Sequence, residues 1–505
     1  MNSGYSLKLI IAGVSAACGL IVEIVAGRMI APYLGMSLYT WTAIISVVLA
    51  GFSVGHWVGG LIAERPAKQA LKLVAWSLLL ASASTALSLI LIRVIGPLII
   101  AQGWSAVPTV LMVTLLLFFL PSFFVGIPSP VLTKLAIDNC SPSQVGRAIG
   151  AFFAVGAVGS IVGTLAAGFI FIAWLGITKT LLLVAIVYFA LGLLLIVPRS
   201  ISQIGNLVLP FATVVVGTGI LAYVGNRVNA FTETCKIGSS YYCIRVIDVS
   251  QQFEQPSRLM VLDHLGHGVN LQSEPQKLVS PYVELQDVLA RIHSGQSSPF
   301  RTFFVGGGAY TLPRAWAAAR PDAEITVAEI DPVVTQTAHS ELWLKKTPRI
   351  TTLIDDARNA LRQSPDRSFD VIVGDAFHDI VIPPHLVTHE FFELVAARLK
   401  KDGIYLMTVV DHRHRPRLAL SIYRTLQSVL ERIEIWVSNE PGVRSTFVLA
   451  AVREATPYST LPSRNSPGVH FLRLERSKIE RHAKKISAMV LSDDHAPVDH
   501  LIGVQ

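Results

Sequence analysis

Carboxylates recur at spaced positions behind a run of glycines in the C-terminal half of the chain. Gly306, Gly307 and Gly308 close "RTFFVGGG", Glu329 closes "EITVAE", Asp355 and Asp356 close "RITTLIDD", and Asp375 closes "FDVIVGD". Glycines let a ligand approach the backbone closely. A carboxylate about 20 residues further on can accept both hydroxyls of a ribose. Any one of these acids could instead cap the next helix, a reading that suits Asp355 or Asp331 better than the whole series. A dinucleotide site would want a third glycine leading into the helix; in "GGGAYTLPR" Pro313 and Arg314 open the helix instead. The loop therefore suits a nucleoside without a pyrophosphate, and S-adenosyl compounds fit that description.

The elements that must position these groups alternate. Strand-like and helix-like segments follow one another from "RTFFVGGG" to "GIYLMTVV", which predicts a mainly parallel sheet covered on both faces, with ligands at the carboxyl ends of the strands. Ahead of it, "YYCIRVIDVS" and "SRLMVLDH" alternate like strands of a small antiparallel sheet. "VSPYVELQDVLARIHS" has helical spacing. The expected organisation is a helical membrane domain over 1–226, a small β subdomain with a linking helix over 227–298, and a Rossmann-like catalytic domain over 299–505.

The membrane assignment rests on composition. Of 505 residues, 52% are hydrophobic and 15% charged, with mean hydropathy +0.53. The apolar excess is concentrated before residue 226, in runs near 7–30, 39–63, 70–94, 107–133, 148–174, 178–197 and 205–225. A span takes about 20 apolar residues, so about seven helices are expected. Pro121, Pro128 and Pro130 should kink or break the fourth. Gly159 and Gly163 form a close-packing pair. Glu23, Arg28 and His56 are the polar outliers, read as paired or interfacial groups rather than a transport pathway. The net charge of +8 comes without a dense basic block interleaved with aromatics, so nucleic acid is discounted.

Orientation is pulled two ways. The basic loop "ERPAKQALK" belongs in the cytoplasm by the positive-inside rule, which leaves the soluble half outside after seven spans. A nucleoside cofactor is made in the cytoplasm, and the expectation sides with it: a multi-pass inner-membrane protein with a cytoplasmic catalytic domain. Cys235 and Cys243 flank a plausible hairpin and could pair if that side is oxidising. His412, His414, His495 and His500 lack metal-site geometry, and no metal is expected.

These residues carry a resemblance. The stretch from about 231 to 410 resembles the spermidine synthase family of aminopropyltransferases through "SSYYCIRV", "LVSPYVEL", "FFVGGGAYTLPR", "TVAEIDPVV", "DDARNAL", "FDVIVGDAF" and "HEFFELVAARLKKDGIYL". "EIVAGRMIAPYLG" and "LSDDHAPVDHL" are similar to a subgroup fused to a transporter-like membrane region. The resemblance implies a methyltransferase-like sheet with a small N-terminal strand domain, and methylthioadenosine as product. It makes Glu329 the ribose ligand and Asp356 the adenine ligand, with Gly306, Gly307, Gly308, Ala357 and Arg314 beside the nucleoside. It makes Asp375 the acid that orients and deprotonates the attacking amine, with Tyr241 and Tyr282 in the catalytic pocket. Tyr242, His378 and Asp379 would meet the acceptor. No prosthetic group is implied; decarboxylated S-adenosylmethionine, or S-adenosylmethionine itself, is the substrate. The other partners are a polyamine, the lipid bilayer and a second copy in a homodimer.

Two departures bear on the substrate. The family carries an acid after the three glycines, where this chain has Ala309, and a second Asp three residues after the base, where it has His378 followed by Asp379. Both replacements remove negative charge from positions facing cationic groups. If Arg314 turns into the pocket it could pair with a carboxylate, which raises the alternative of cleaving intact S-adenosylmethionine without an amine. A polyamine or sulfonium transporter with a sensor domain, and an ordinary methyltransferase, are the remaining readings.

Overall fold

The computed structural model describes residues 3–102, 106–196, 208–295, 298–377 and 380–502. The chain divides into two compact units, one ending at Gly238 and the other beginning at Ser239.

The first unit is helical: α1 (Ser3–Leu34), α2 (Leu38–Ala63), α3 (Ala67–Gln102), α4 (Ala106–Gly126), α5 (Pro128–Ile137), α6 (Val145–Ala166), α7 (Ile172–Ile196) and α8 (Val208–Arg227). Among the described residues, five stretches are long and apolar enough to cross a bilayer: Gly4–Leu34, Leu38–Ala63, Ala67–Leu98, Val107–Ile137 and Pro142–Ile196. The last, of 55 residues, holds two of the runs expected to be separate helices; they part at Gly176, whose φ is 77°. The expected run 205–225 begins outside the described residues. The proline-rich segment interrupts its helix as expected, with Pro128 opening α5.

Side-chain size sets the helix pairing. A Cβ on Gly159 would come within 2.2 Å of the Gly13 carbonyl oxygen, and one on Gly163 within 2.2 Å of that of Ala17. The two glycines thus let α6 lie directly on α1, a close approach of backbones that small residues permit. Gly55 does the same for α2, facing the Phe123 carbonyl of α4. His56 bonds its own helix, Nδ1 lying 2.6 Å from the Phe52 carbonyl.

The second unit opens with a small antiparallel sheet of β1 (Cys243–Asp248), β2 (Ser257–Leu262) and β3 (Leu265–Leu271). The amphipathic helix α9 (Pro281–Ser294) follows. The large sheet then begins: β4 (Phe300–Val305), α10 (Thr311–Ala319), β5 (Ala323–Glu329), α11 (Pro332–Glu341), β6 (Ile350–Ile354), α12 (Ala357–Gln363), β7 (Phe369–Gly374), α13 (His389–Arg398) and β8 (Leu399–His412). After α14 (Arg417–Gln427), strands β9 (Ile433–Ser438), β10 (Arg444–Ala451), β11 (Thr460–Pro462) and β12 (His470–Arg473) complete it. The nine strands run in the order β11-β12-β9-β10-β8-β7-β4-β5-β6. The block from β8 to β6 is parallel, and the strands beyond β8 are antiparallel. The sheet is therefore mixed, a Rossmann-like core with an antiparallel extension.

The strand order fixes where a ligand goes. The chain winds from β4 outward to β5 and β6, then returns to β7 on the other side of β4. That reversal opens a crevice at the carboxyl ends of β4 and β7. Val305 is in register with Gly374, so the glycine loop and Asp375 emerge side by side.

The packing of α1 on α6 gives the first test. Replacing Gly163 with Leu should lower the melting temperature of the detergent-purified protein, since forcing a side chain into a filled contact costs about 1–3 kcal/mol. The same change at Gly146, where nothing lies within 4 Å of the added Cβ, should be nearly silent.

Candidate active site

Two adjoining cavities of about 90 and 30 Å³ lie in that crevice and share His267, Gly306, Gly308 and Asp375. The larger is also lined by Tyr242, Glu329, Asp356, Ala357 and His385, with Leu262, Ile330 and Phe377 among its apolar walls. The smaller adds Tyr282, Gln286, Gly307, Ala309 and Thr311. A wider open cleft of about 590 Å³ lies by β6, and of the acids at the strand ends only Asp355 lines it.

The glycine loop is shaped by contacts that a side chain would block. Gly306 has φ 96° and Gly308 φ 48°. A Cβ on Gly306 would stand 2.8 Å from the Asp375 carbonyl oxygen, so β4 and β7 can meet only without one. Glu329 then ties the loop to β5. Its Oε2 accepts from the Gly307 and Gly308 amides at 2.9 and 3.2 Å, and its Oε1 from the Asp331 amide at 3.0 Å. Burial pushes this carboxyl up, and the three amides pull it back down.

The neighbouring acids divide by role. Asp356 caps α12 through the Asn359 amide at 3.1 Å and meets His385 Nε2 at 2.8 Å. Asp331 caps α11 through the Val333 amide at 2.9 Å and accepts from Ser239 Oγ. Asp355 accepts from the Asp356 amide and from Asn359 Nδ2, at 2.8 and 2.7 Å. Asp355 and Asp331 are outside both cavities and do the local structural work expected of them.

Asp375 is different. Its amide donates to the Val305 carbonyl at 3.0 Å, which fixes the backbone, yet its Oδ1 is buried without a partner. Burial raises its carboxyl to about 7, against a bond from Thr408 that pulls it down. Gln286 of α9 donates to the Thr408 hydroxyl at 2.8 Å, so a chain of polar groups positions the acid. Tyr282 stands nearby with its phenol pushed well up by burial and then by the Asp375 charge, and so stays a neutral donor.

Three sequence expectations need correction or restriction. Tyr241, expected in the catalytic pocket, is 36% exposed and lines neither cavity. Its neighbour Tyr242 lines the larger one and donates to the Phe377 carbonyl at 3.1 Å. Ser239 Oγ accepts the amides of both residues, at 3.0 and 2.8 Å, and the tight turn this makes leaves only the second ring directed inward. Arg314, expected beside the nucleoside, is buried but lines neither cavity; it donates to the Leu271 carbonyl at 3.1 Å, and burial lowers its guanidinium to about 10. His378 and Asp379 lie outside the described residues. The sequence reading missed His267 and His385, which no short motif marks. Their positions follow from where β3 and the segment after β7 fold.

The histidine-rich C-terminus is tied to this region through Arg358, whose guanidinium grips Asp493 with two bonds of 2.7 Å. Among the described residues, no group of three His, Cys, Asp or Glu side chains is arranged to hold a metal ion.

Residues 305–460 match the spermine/spermidine synthase domain. A polyamine aminopropyltransferase of Vibrio vulnificus is 31% identical over 108 residues, 21% of this chain and 36% of that protein. Polyamine aminopropyltransferase 2 of Streptomyces coelicolor is 24% identical over 443 residues, 83% of this chain and 77% of that protein. The chain thus spans about a third of the first relative and most of the second. A crystal structure of a probable spermidine synthase from Corynebacterium glutamicum superposes with a TM-score of 0.44 at 23% identity, covering 52% of this chain and 97% of that one.

Asp375 makes stability depend on pH. The folded protein holds this proton more tightly than the unfolded chain between the ordinary value of 3.8 and about 7. The stabilisation is complete below that window and is lost as pH rises through it. In thermal melts of the ligand-free protein from pH 5 to pH 8, Asp375→Asn should gain stability relative to wild type as pH rises.

Proposed function

We propose that this chain, which carries a spermine/spermidine synthase domain, is a membrane-bound aminopropyltransferase releasing methylthioadenosine from decarboxylated S-adenosylmethionine. The observation that carries the reading is Asp375, a buried carboxyl with a free oxygen at the strand crossover. Glu329 and Asp356 supply acceptors for a ribose and an adenine in the same cavity, and Ala357 and the glycine loop form its backbone wall.

The chemistry follows from the groups present. An amine attacks the carbon beside the sulfonium with its lone pair, the C–S bond breaks, and its electrons return to sulfur. The leaving group is a neutral thioether that needs no acid. The nitrogen becomes cationic and must lose a proton, which Asp375 accepts. Positioned proton transfer of this kind contributes roughly 10²–10⁴-fold. Cleavage of intact S-adenosylmethionine without an amine would call for a cation facing the substrate carboxylate. Arg314 is engaged with the Leu271 carbonyl, which favours transfer to an amine.

Orientation draws on the first unit. Lys8 donates to the Leu135 carbonyl, so the start of α1 and the end of α5 share a side. Arg93 donates to the Thr232 carbonyl, so the end of α3 shares the other side with the segment after α8. The first side also holds the basic loop of Arg65, Lys68 and Lys72, which favours the cytoplasm. Cys235 and Cys243 are disulfide-bonded, which favours an oxidising compartment for the second side. We read the segment after α8 as extracytoplasmic, against the expectation drawn from cofactor supply. A reporter active only outside the cytoplasm should work when fused after residue 238 and fail when fused within 64–66; the reverse pattern refutes the orientation.

Activity should separate the site residues. With decarboxylated S-adenosylmethionine and putrescine, Asp375→Asn should lower kcat at least 100-fold while methylthioadenosine still binds. Glu329→Gln should instead weaken methylthioadenosine binding at least tenfold. In wild type kcat/KM should rise with pH through an apparent value near 7, because the base works only when ionised. Formation of S-adenosylhomocysteine from S-adenosylmethionine instead would establish a methyltransferase.

A further inference from the structure

His267 is a buried group that the mechanism above does not use. It lies on β3 and lines both cavities, with Asp375 and Tyr282 among the other lining residues of the smaller one. Its Nε2 is buried without a hydrogen-bond partner, as is Asp375 Oδ1. Buried polar atoms left unpaired cost stability and call for an explanation. Two such atoms lining the same two cavities are explained most simply by a shared ligand.

The strand that carries His267 is clamped to the glycine loop. Asn270 Nδ2 donates to the Ala309 carbonyl at 2.8 Å and, less closely, to the Leu342 carbonyl at 3.3 Å; its Oδ1 accepts from Thr311 Oγ1 at 2.8 Å. Gly268, at φ 149°, admits this approach, since a Cβ there would come within 2.6 Å of Thr311 Oγ1. The backbone that carries the imidazole is therefore held beside Gly308, whose added Cβ would lie 3.8 Å from the His267 Cβ.

Burial, reinforced by His264, lowers His267 to about 4. It is a neutral ring at physiological pH, with one nitrogen able to accept a hydrogen bond, and too weak a base to keep a proton. The other titratable groups around it are Tyr282 and Asp375 in the smaller cavity, and Tyr242, Glu329, Asp356 and His385 in the larger. Among the described residues, Asp375 is the only carboxylate lining the smaller cavity, where Ala309 takes the place after the glycines.

Resting on the proposed aminopropyl transfer, we propose that His267 positions the attacking amine, its Nε2 accepting one N–H while Asp375 accepts the other and takes the proton. Two acceptors on one nitrogen aim its lone pair at the carbon beside the sulfonium, and a neutral second acceptor does this without adding a charge. The role is positioning and selection of the acceptor, separate from nucleoside binding.

The test uses the full-length protein in detergent with decarboxylated S-adenosylmethionine, putrescine as the probe amine, and separate calorimetry with methylthioadenosine. His267→Leu should raise the putrescine KM at least tenfold and leave the methylthioadenosine Kd within about twofold. His267→Gln, which restores an acceptor at similar reach, should recover KM to within about threefold of wild type. An unchanged putrescine KM in His267→Leu overturns the proposal. So does a parallel loss of methylthioadenosine affinity, or a Gln variant no better than Leu. Wild-type protein that binds methylthioadenosine but transfers nothing to putrescine would remove the aminopropyl reading itself, a result distinguishable from the others because no variant is needed to see it.

Discussion

A buried carboxylate must have its lone pairs met or lose its charge, and Glu329 meets this requirement with three backbone amides. Because two of those amides belong to Gly307 and Gly308 and the third to Asp331, one side chain joins the loop after β4 to the start of α11. Asp331, fixed in this way, caps α11. The close approach of Gly306 to the Asp375 carbonyl brings β7 into the same arrangement. The crevice thus exists because an acid at the end of β5 organises the ends of two neighbouring strands. A glutamine there would keep the shape but put an NH₂ against an amide, and one of these contacts would be lost. The same carboxylate keeps lone-pair capacity on the cavity side, so the group that builds the loop is also available to a ribose.

Much of this was legible in the sequence because strand ends carry a local signal. A short apolar run followed by glycine or an acid gives both the element and its polar terminus, and Gly306, Glu329, Asp356 and Asp375 all fell where that pattern put them. Adjacent residues were harder. Tyr241 and Tyr242 have the same chemistry one position apart, and only the turn held by Ser239 decides which ring faces inward. Arg314 was read from its place in the first turn of α10, but its partner is a carbonyl on β3, more than forty residues away, which no local pattern supplies. His267 was invisible for the same reason: it comes to line the cavities with Asp375 only because Asn270 fastens β3 to the glycine loop. The antiparallel strands beyond β8 add sheet without adding site residues, and the sequence reading said nothing of them. In the helical half, hydropathy located the apolar runs. It also parted 148–174 from 178–197, and the backbone breaks between those two runs at Gly176, whose φ is 77°.

The site's electrostatics are graded, and the gradient has a mechanistic consequence. On the side proposed for the nucleoside stand Glu329 and Asp356, each already hydrogen-bonded to backbone amides and suited to neutral hydroxyl and amino donors. On the side proposed for the reacting carbon, Ala309 and His267 contribute no charge, and Asp375 is the one acid among the described residues of the smaller cavity. Desolvation holds Asp375 near 7 when the cavity has no cation, so its proton is only loosely kept. A sulfonium entering the cavity brings a fixed positive charge into a poorly solvated space, where a nearby charge shifts a carboxyl strongly downward. Under the proposed transfer, the base would then be ionised by the arrival of its substrate. An acid ionised at all times would pay the full desolvation penalty in the empty protein, and one flanked by further carboxylates would be driven higher still. A single acid, beside neutral hydrogen-bonding partners, keeps the cost low until the cation arrives.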